Sequence, residues 1–140
     1  MRIRNLCHSC YQHQYHIVWG TKYRRKYLKE YVKFELEKNL KETIKEYPTL
    51  DIVAINTNQD HVHLQIEISP DLSVAAVVRI LKSKSSFALK KKFKFIREMY
   101  LDSSIWSVGY FSSTIGLNEK QIEKYIEWPG RKDTPQKLDL

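Results

Sequence analysis

The chain has 140 residues, and 24 Lys and Arg against 16 Asp and Glu leave a formal charge of +8. That length suits one domain with a buried core, and the cationic surplus points to a polyanionic partner, nucleic acid before an acidic membrane. No apolar run approaches the roughly 20 residues that cross a bilayer, and Met1-Arg2-Ile3-Arg4-Asn5 leads into polar sequence rather than a signal core, so a cytoplasmic, nucleoid-associated protein with both cysteines reduced is expected.

Cys7, Cys10, His13 and His16 form C-x2-C-x2-H-x2-H. The residue types suit zinc, but a finger separates its two pairs by about a dozen residues or more, and here all four crowd together. His16 also falls within residues 15–19 (Tyr-His-Ile-Val-Trp), which read as a first strand, so no structural zinc is expected there. The basic turn 20–26 follows, with Arg24 and Arg25 as candidate phosphate contacts. A helix is predicted over about 28–46, because Leu28, Val32, Leu36, Leu40 and Ile44 recur every four residues and make a core-facing stripe; Pro48 stops it. Residues 51–56 (Asp-Ile-Val-Ala-Ile-Asn) read as a second strand, and the polar turn 57–60 joins it to a third as a hairpin.

From His61 the residues alternate strictly. Successive side chains on a strand point to opposite faces, so Val62, Leu64, Ile66 and Ile68 are predicted to be buried together while His61, His63, Gln65 and Glu67 line the other face. Imidazoles two residues apart on a strand sit about 7 Å apart at the backbone, close enough to share one divalent ion. The same pattern also describes a half-buried strand whose outward positions happen to include two histidines.

Asp71 or Ser73 caps a second helix beginning near Val74, with Val74, Val77, Val78 and Leu81 on its buried side. Arg79, Ser83, Ser86 and Lys90 make one polar face able to reach phosphates, and Lys82, Lys84, Lys91, Lys92 and Lys94 add charge around it. Any one of these suits a merely solvated surface; as a group they are better explained by nucleic acid. Residues 105–114 (Ile-Trp-Ser-Val-Gly-Tyr-Phe-Ser-Ser-Thr) read as a strand ended by Gly116. Asn118 opens a short helix with Gln121 at the capping-box position and Ile122, Tyr125 and Ile126 along it, until Pro129 and Gly130 break it. Residues 131–140 read as a polar, loosely packed tail. With no internal repeat, residues 1–140 form a single domain, and the order strand, helix, hairpin, helix, strand, helix suggests an α+β layer of helices on an antiparallel sheet.

There is no Gly-rich phosphate loop and no obvious Ser-His-Asp arrangement. Five blocks in order instead resemble the single-tyrosine transposases of the smallest bacterial and archaeal insertion sequences, within the His-hydrophobic-His (HUH) nuclease superfamily. They are residues 15–19 with 21–26, residues 60–64 (Asp-His-Val-His-Leu), residues 81–83 with Ser85, residues 106–111 through 114–116, and residues 122–127 (Ile-Glu-Lys-Tyr-Ile-Glu). The resemblance implies a ferredoxin-like antiparallel sheet with helices packed on one face. It further implies an obligate homodimer, with active sites that two subunits can share, and a single-stranded DNA substrate folded into hairpins. It makes Tyr125 the nucleophile, and His61 with His63 the ligands of Mg2+ or Mn2+.

One departure from the family stands out. Members often carry a Gln one helical turn after the tyrosine, where this sequence has Pro129. Gln121, one turn before Tyr125 on roughly the same helix face, is the candidate substitute as third metal ligand; Asp60, Gln65 and Glu67 are alternatives. Tyr110 is the best decoy among the nine tyrosines. Two other readings compete: a hairpin-binding protein, domesticated or inactive, that has lost strand transfer, favoured by Pro129, and a basic α+β RNA-binding domain, which gives the His pair no role.

Overall fold

The computed structural model describes residues 4–6 and 9–11 as backbone and residues 14–114 in full. A short antiparallel ribbon, β1 (Arg4–Leu6) and β2 (Ser9–Tyr11), precedes the main sheet. The rest runs β3 (Gln14–Gly20), α1 (Glu30–Ile44), β4 (Leu50–Thr57), β5 (His61–Ile68), α2 (Val74–Lys92), α3 (Lys94–Met99) and β6 (Phe111–Thr114). The four longer strands form one sheet in the order β4-β5-β3-β6, every neighbour antiparallel. This is the α+β arrangement expected from the element order, in the ferredoxin-like form that the family resemblance implies.

β5 starts at His61 as the alternation requires, and it lies at the centre of the sheet between β3 and β4. Its Val62, Leu64 and Ile66 are fully buried with Ile17 and Trp19 of β3. Val32, Leu36 and Leu40 of α1 join the same cluster, as do Val77, Val78 and Leu81 of α2. Burying side chains of this size contributes about 1.5–3 kcal/mol each, which is what fixes the register of β5.

Several boundaries differ from the sequence reading. α1 begins at Glu30, because Leu28 spends its N–H on the Gln59 carbonyl and Lys29 has extended dihedrals; Leu28 remains in the core although it precedes the helix. Ser73, not Asp71, caps α2, its Oγ accepting from Ala76 N at 3.0 Å, while Asp71 accepts from the Ser69 hydroxyl. Phe93, with φ −115° and ψ 110°, interrupts the helix, and α3 follows unforeseen. The strand expected over 105–114 is reduced to Phe111–Thr114. Ahead of it Ile105 and Trp106 turn into the core, and Gly109 adopts φ +89°, which only glycine reaches without strain. Cys7, His13, Gln121, Tyr125, Pro129 and the 131–140 tail lie outside the described residues. Among the described residues no helix is long and apolar enough to cross a membrane.

Candidate active site

The polar face of the sheet, opposite the helices, carries the candidate residues His61 and His63. Register places Gly20 beside His61, Val18 and Asn56 beside His63, and His16 beside Gln65. His61 and His63 therefore project from alternate positions of one central strand, both partly buried, into a cavity of about 360 Å³ lined also by Lys33, Asn56, Thr57 and Asn58.

Each imidazole is held by a partner. His61 Nδ1 lies 3.0 Å from Asp60 Oδ1. An ionised carboxylate only accepts, so Nδ1 carries a proton, and in the neutral ring Nε2 keeps its lone pair. The other carboxylate oxygen of Asp60 accepts from Arg24 Nε at 3.3 Å and Arg24 Nη2 at 3.2 Å. Burial alone raises the Asp60 pKa, but the His61 hydrogen bond and the Arg24 charge outweigh it and hold the carboxyl below its ordinary value. His63 Nε2 sits 3.1 Å from His16 Nδ1, one nitrogen donating to the other.

Further along the strand the face turns inward on itself. Gln65 Nε2 donates to Gln14 Oε1 at 2.8 Å, and Gln14 Nε2 donates to Glu67 Oε2 at 3.4 Å. Glu67 is 1% exposed and lies four residues beyond His63, roughly 13 Å along the strand, too far to share an ion with both histidines. Among the described residues no group of three His, Cys, Asp or Glu is placed to hold one ion. Two imidazoles, one fixed by an outer carboxylate, suit a divalent cation whose remaining positions are filled by oxygen.

The expected nucleic-acid contacts divide between two places. Arg24 is at the histidine site. Arg25 follows it in sequence, its guanidinium 5.3 Å from the ring centres of both Tyr23 and Tyr100 and its Nη1 donating to the Met99 carbonyl. Arg79, Lys82, Ser83, Ser86 and Lys90 come together along α2, on the helix side of the sheet. There they line an open groove of about 910 Å³ against residues 101–110, and none of its described lining residues is acidic. Two of these cations shape the groove: Lys82 Nζ donates to the carbonyls of Ser107 (2.7 Å) and Gly109 (2.9 Å), and Lys90 Nζ to that of Ser103 (2.9 Å). Ser86 Oγ accepts from Ile105 N, and Ser85 Oγ from Trp106 Nε1 at 3.0 Å. Arg79 and Ser83 are exposed at its rim.

Sequence reasoning gave His16 no part in this site and considered Asp60 only as a direct ligand. The signal for His16 is its parity on β3, which places it on the same face as His63 once the two strands are paired. For Asp60 it is adjacency to His61.

The chain matches the family described as "Transposase IS200 like" over residues 9–128. It is 31% identical over 124 residues to the transposase for insertion sequence element IS200 of Salmonella typhimurium, spanning 89% of this chain and 81% of that protein. It is 30% identical over 118 residues to the ISDra2 transposase TnpA of Deinococcus radiodurans, spanning 84% of each. The crystal structure of a candidate transposase from Deinococcus radiodurans R1 superposes with a TM-score of 0.83 at 25% identity, covering 95% of this chain and 99% of that one. A REP-associated tyrosine transposase solved with a REP hairpin shares the fold, with a TM-score of 0.55 at 13% identity over 79% of this chain and 61% of that one.

Proposed function

This chain belongs to the IS200-like transposase family, and from that premise we propose that it cleaves and rejoins single-stranded DNA at insertion-sequence ends through a 5′-phosphotyrosine on Tyr125. The observation that carries the reading is the pairing of His61 and His63 on one face of β5, with His61 oriented by Asp60, in a chain of this family.

The phenol of Tyr125 loses its proton and its oxygen attacks the scissile phosphorus. The bond to the 3′ oxygen breaks, and that oxygen takes up a proton to leave a free 3′-hydroxyl while the 5′ phosphate stays on the tyrosine. A phenol with pKa near 10 is a far better leaving group than a sugar hydroxyl. The phosphotyrosine therefore remains a competent donor, and rejoining needs no nucleotide cofactor. His61 and His63 would hold Mg2+ or Mn2+, which supplies charge stabilisation at the phosphate oxygens. Gln121 is the proposed third ligand in the place left by Pro129.

The DNA partner proposed is a single strand with subterminal hairpins; one structural neighbour was solved bound to a REP hairpin. Arg24, Arg25, Arg79, Lys82, Ser83, Ser86 and Lys90 are its proposed contacts. A homodimer in which one subunit's tyrosine serves the other's histidines is part of the same reading. Pro129 favours one alternative: a hairpin-binding protein that no longer transfers strands.

The test is incubation with labelled single-stranded DNA carrying the element's ends and Mn2+ or Mg2+, followed by a denaturing gel. Wild type is expected to form a denaturation-resistant adduct that Tyr125→Phe and His61→Ala both lack. Hairpin binding without adduct under either metal supports the non-catalytic alternative.

A further inference from the structure

The turn between β3 and α1 is built in an unusual way. Tyr23 and Arg24 are successive non-glycine residues with φ of 61° and 57°, a left-handed conformation that costs of order 1 kcal/mol or more per residue and persists only where surrounding contacts impose it. Those contacts converge on Asp60 and its neighbours. Thr21 N donates to the Asp60 carbonyl at 2.9 Å, and Thr21 Oγ1 lies 3.2 Å from the same oxygen and 2.7 Å from the Arg25 carbonyl. Lys22 N donates to the Ile105 carbonyl at 2.9 Å, and Leu28 N to that of Gln59 at 3.1 Å. The strained turn is thus tied along its length, and it brings two guanidinium nitrogens onto Asp60 Oδ2.

Asp60 divides its carboxylate between two tasks. One oxygen takes the Arg24 fork and the other takes His61 Nδ1. With the first oxygen anchored, the carboxylate plane is fixed, and with it the tautomer and direction of the His61 ring. We propose that Arg24 is a positioning residue that acts through Asp60 to present His61 Nε2 as a ligand, a role beyond the DNA contact proposed above. The proposal rests on the reading of His61 and His63 as metal ligands. Arg24, one of the candidate phosphate contacts read from the sequence, lies on the far side of the carboxylate from the imidazole, with 22% of its side chain exposed. A lysine would supply the charge but not the planar fork, so identity matters here as well as sign.

The experiment measures Mn2+ binding to the full-length, DNA-free protein by titration with electron paramagnetic resonance, for wild type, Arg24→Ala, Arg24→Lys, Asp60→Ala, Arg24→Ala/Asp60→Ala and His61→Ala. Asp60→Ala is expected to weaken Mn2+ by about 10–100-fold, the range for an outer-shell partner of a ligating histidine. Arg24→Ala is expected to cost less, with Arg24→Lys recovering part of the loss. If Arg24 acts through Asp60, the double variant should bind no worse than Asp60→Ala alone. Fully additive losses overturn the proposal. So does a metal-free DNA affinity that falls in Arg24→Ala while Mn2+ affinity holds. Wild type binding Mn2+ no better than His61→Ala would instead remove the metal reading itself. Histidine 15N NMR of the metal-free wild type needs no variant to fold: a bare Nε2 on His61 is expected, and an Nε2–H tautomer overturns the proposal.

Discussion

The helix side and the polar side of the sheet both exclude water, but by different means. On the helix side Ile17, Trp19, Val62, Leu64 and Ile66 are closed over by α1 and α2 and depend on apolar area. On the polar side Gln14, Glu67 and Ser113 are nearly as buried, at 2%, 1% and 8% exposure, and Gln14 and Glu67 are matched by side-chain hydrogen bonding rather than packing alone. Both surfaces come from the same strands, one residue out of step. Neighbouring positions on β5 therefore separate stability from chemistry, since an apolar position contributes in proportion to area and a polar one through a specific partner.

The largest expected effect is on the polar side. His63→Ala should reduce adduct formation by more than the roughly 10–100-fold cost of losing an outer-shell partner, while shifting the denaturation midpoint only slightly. Equal losses of stability and adduct would break the comparison. One residue on, Leu64→Ala should do the reverse, costing about 2–5 kcal/mol in urea unfolding. The adduct formed per folded molecule should be unchanged in that variant.

A smaller effect sharpens the contrast with the α2 groove. Lys82→Met removes the donor to Ser107 and Gly109 carbonyls and should cost about 1–2 kcal/mol. Hydrogen exchange across residues 105–110 should accelerate in the DNA-free protein. Unaltered exchange, with weakened DNA binding, would assign Lys82 to phosphate alone.

The smallest effect is at low pH. The folded-state pKa of Asp60 lies below its ordinary value. Its ionised form therefore adds stability that is present above the unfolded pKa near 3.9 and is lost as pH falls through the lower folded value. Asp60→Asn should flatten the stability profile below about pH 4, measured by thermal unfolding across pH. An acid limb as steep as wild type would place the sensitivity in another carboxylate.

What the sequence reveals follows the range of the interactions involved. β5 begins where the alternation begins, and α2 starts at its Ser73 cap, because both signals are local. The start of α1 was hidden: Leu28 fits the helical stripe, yet its N–H is taken by Gln59, 31 positions away in sequence. The segment 105–110 looked like a strand from its β-branched and aromatic residues, but Trp106 and Ile105 are drawn into the core by Ser85 and Ser86 of α2. The histidine pair was legible for the same reason as its strand. The support behind it was not: Arg24 reaches Asp60 only because a left-handed turn is tied to it, and His16 meets His63 only through strand register. Arg24 and Lys82 read as nucleic-acid contacts, while in the fold Arg24 also pairs with Asp60 and Lys82 with two loop carbonyls.

The most direct test of the account is to trap the covalent protein–DNA adduct formed with Mn2+, digest it with protease and nuclease, and locate the modified tyrosine by mass spectrometry. The account predicts a nucleotide phosphate on Tyr125. The same mass on Tyr110 or any other tyrosine would contradict it.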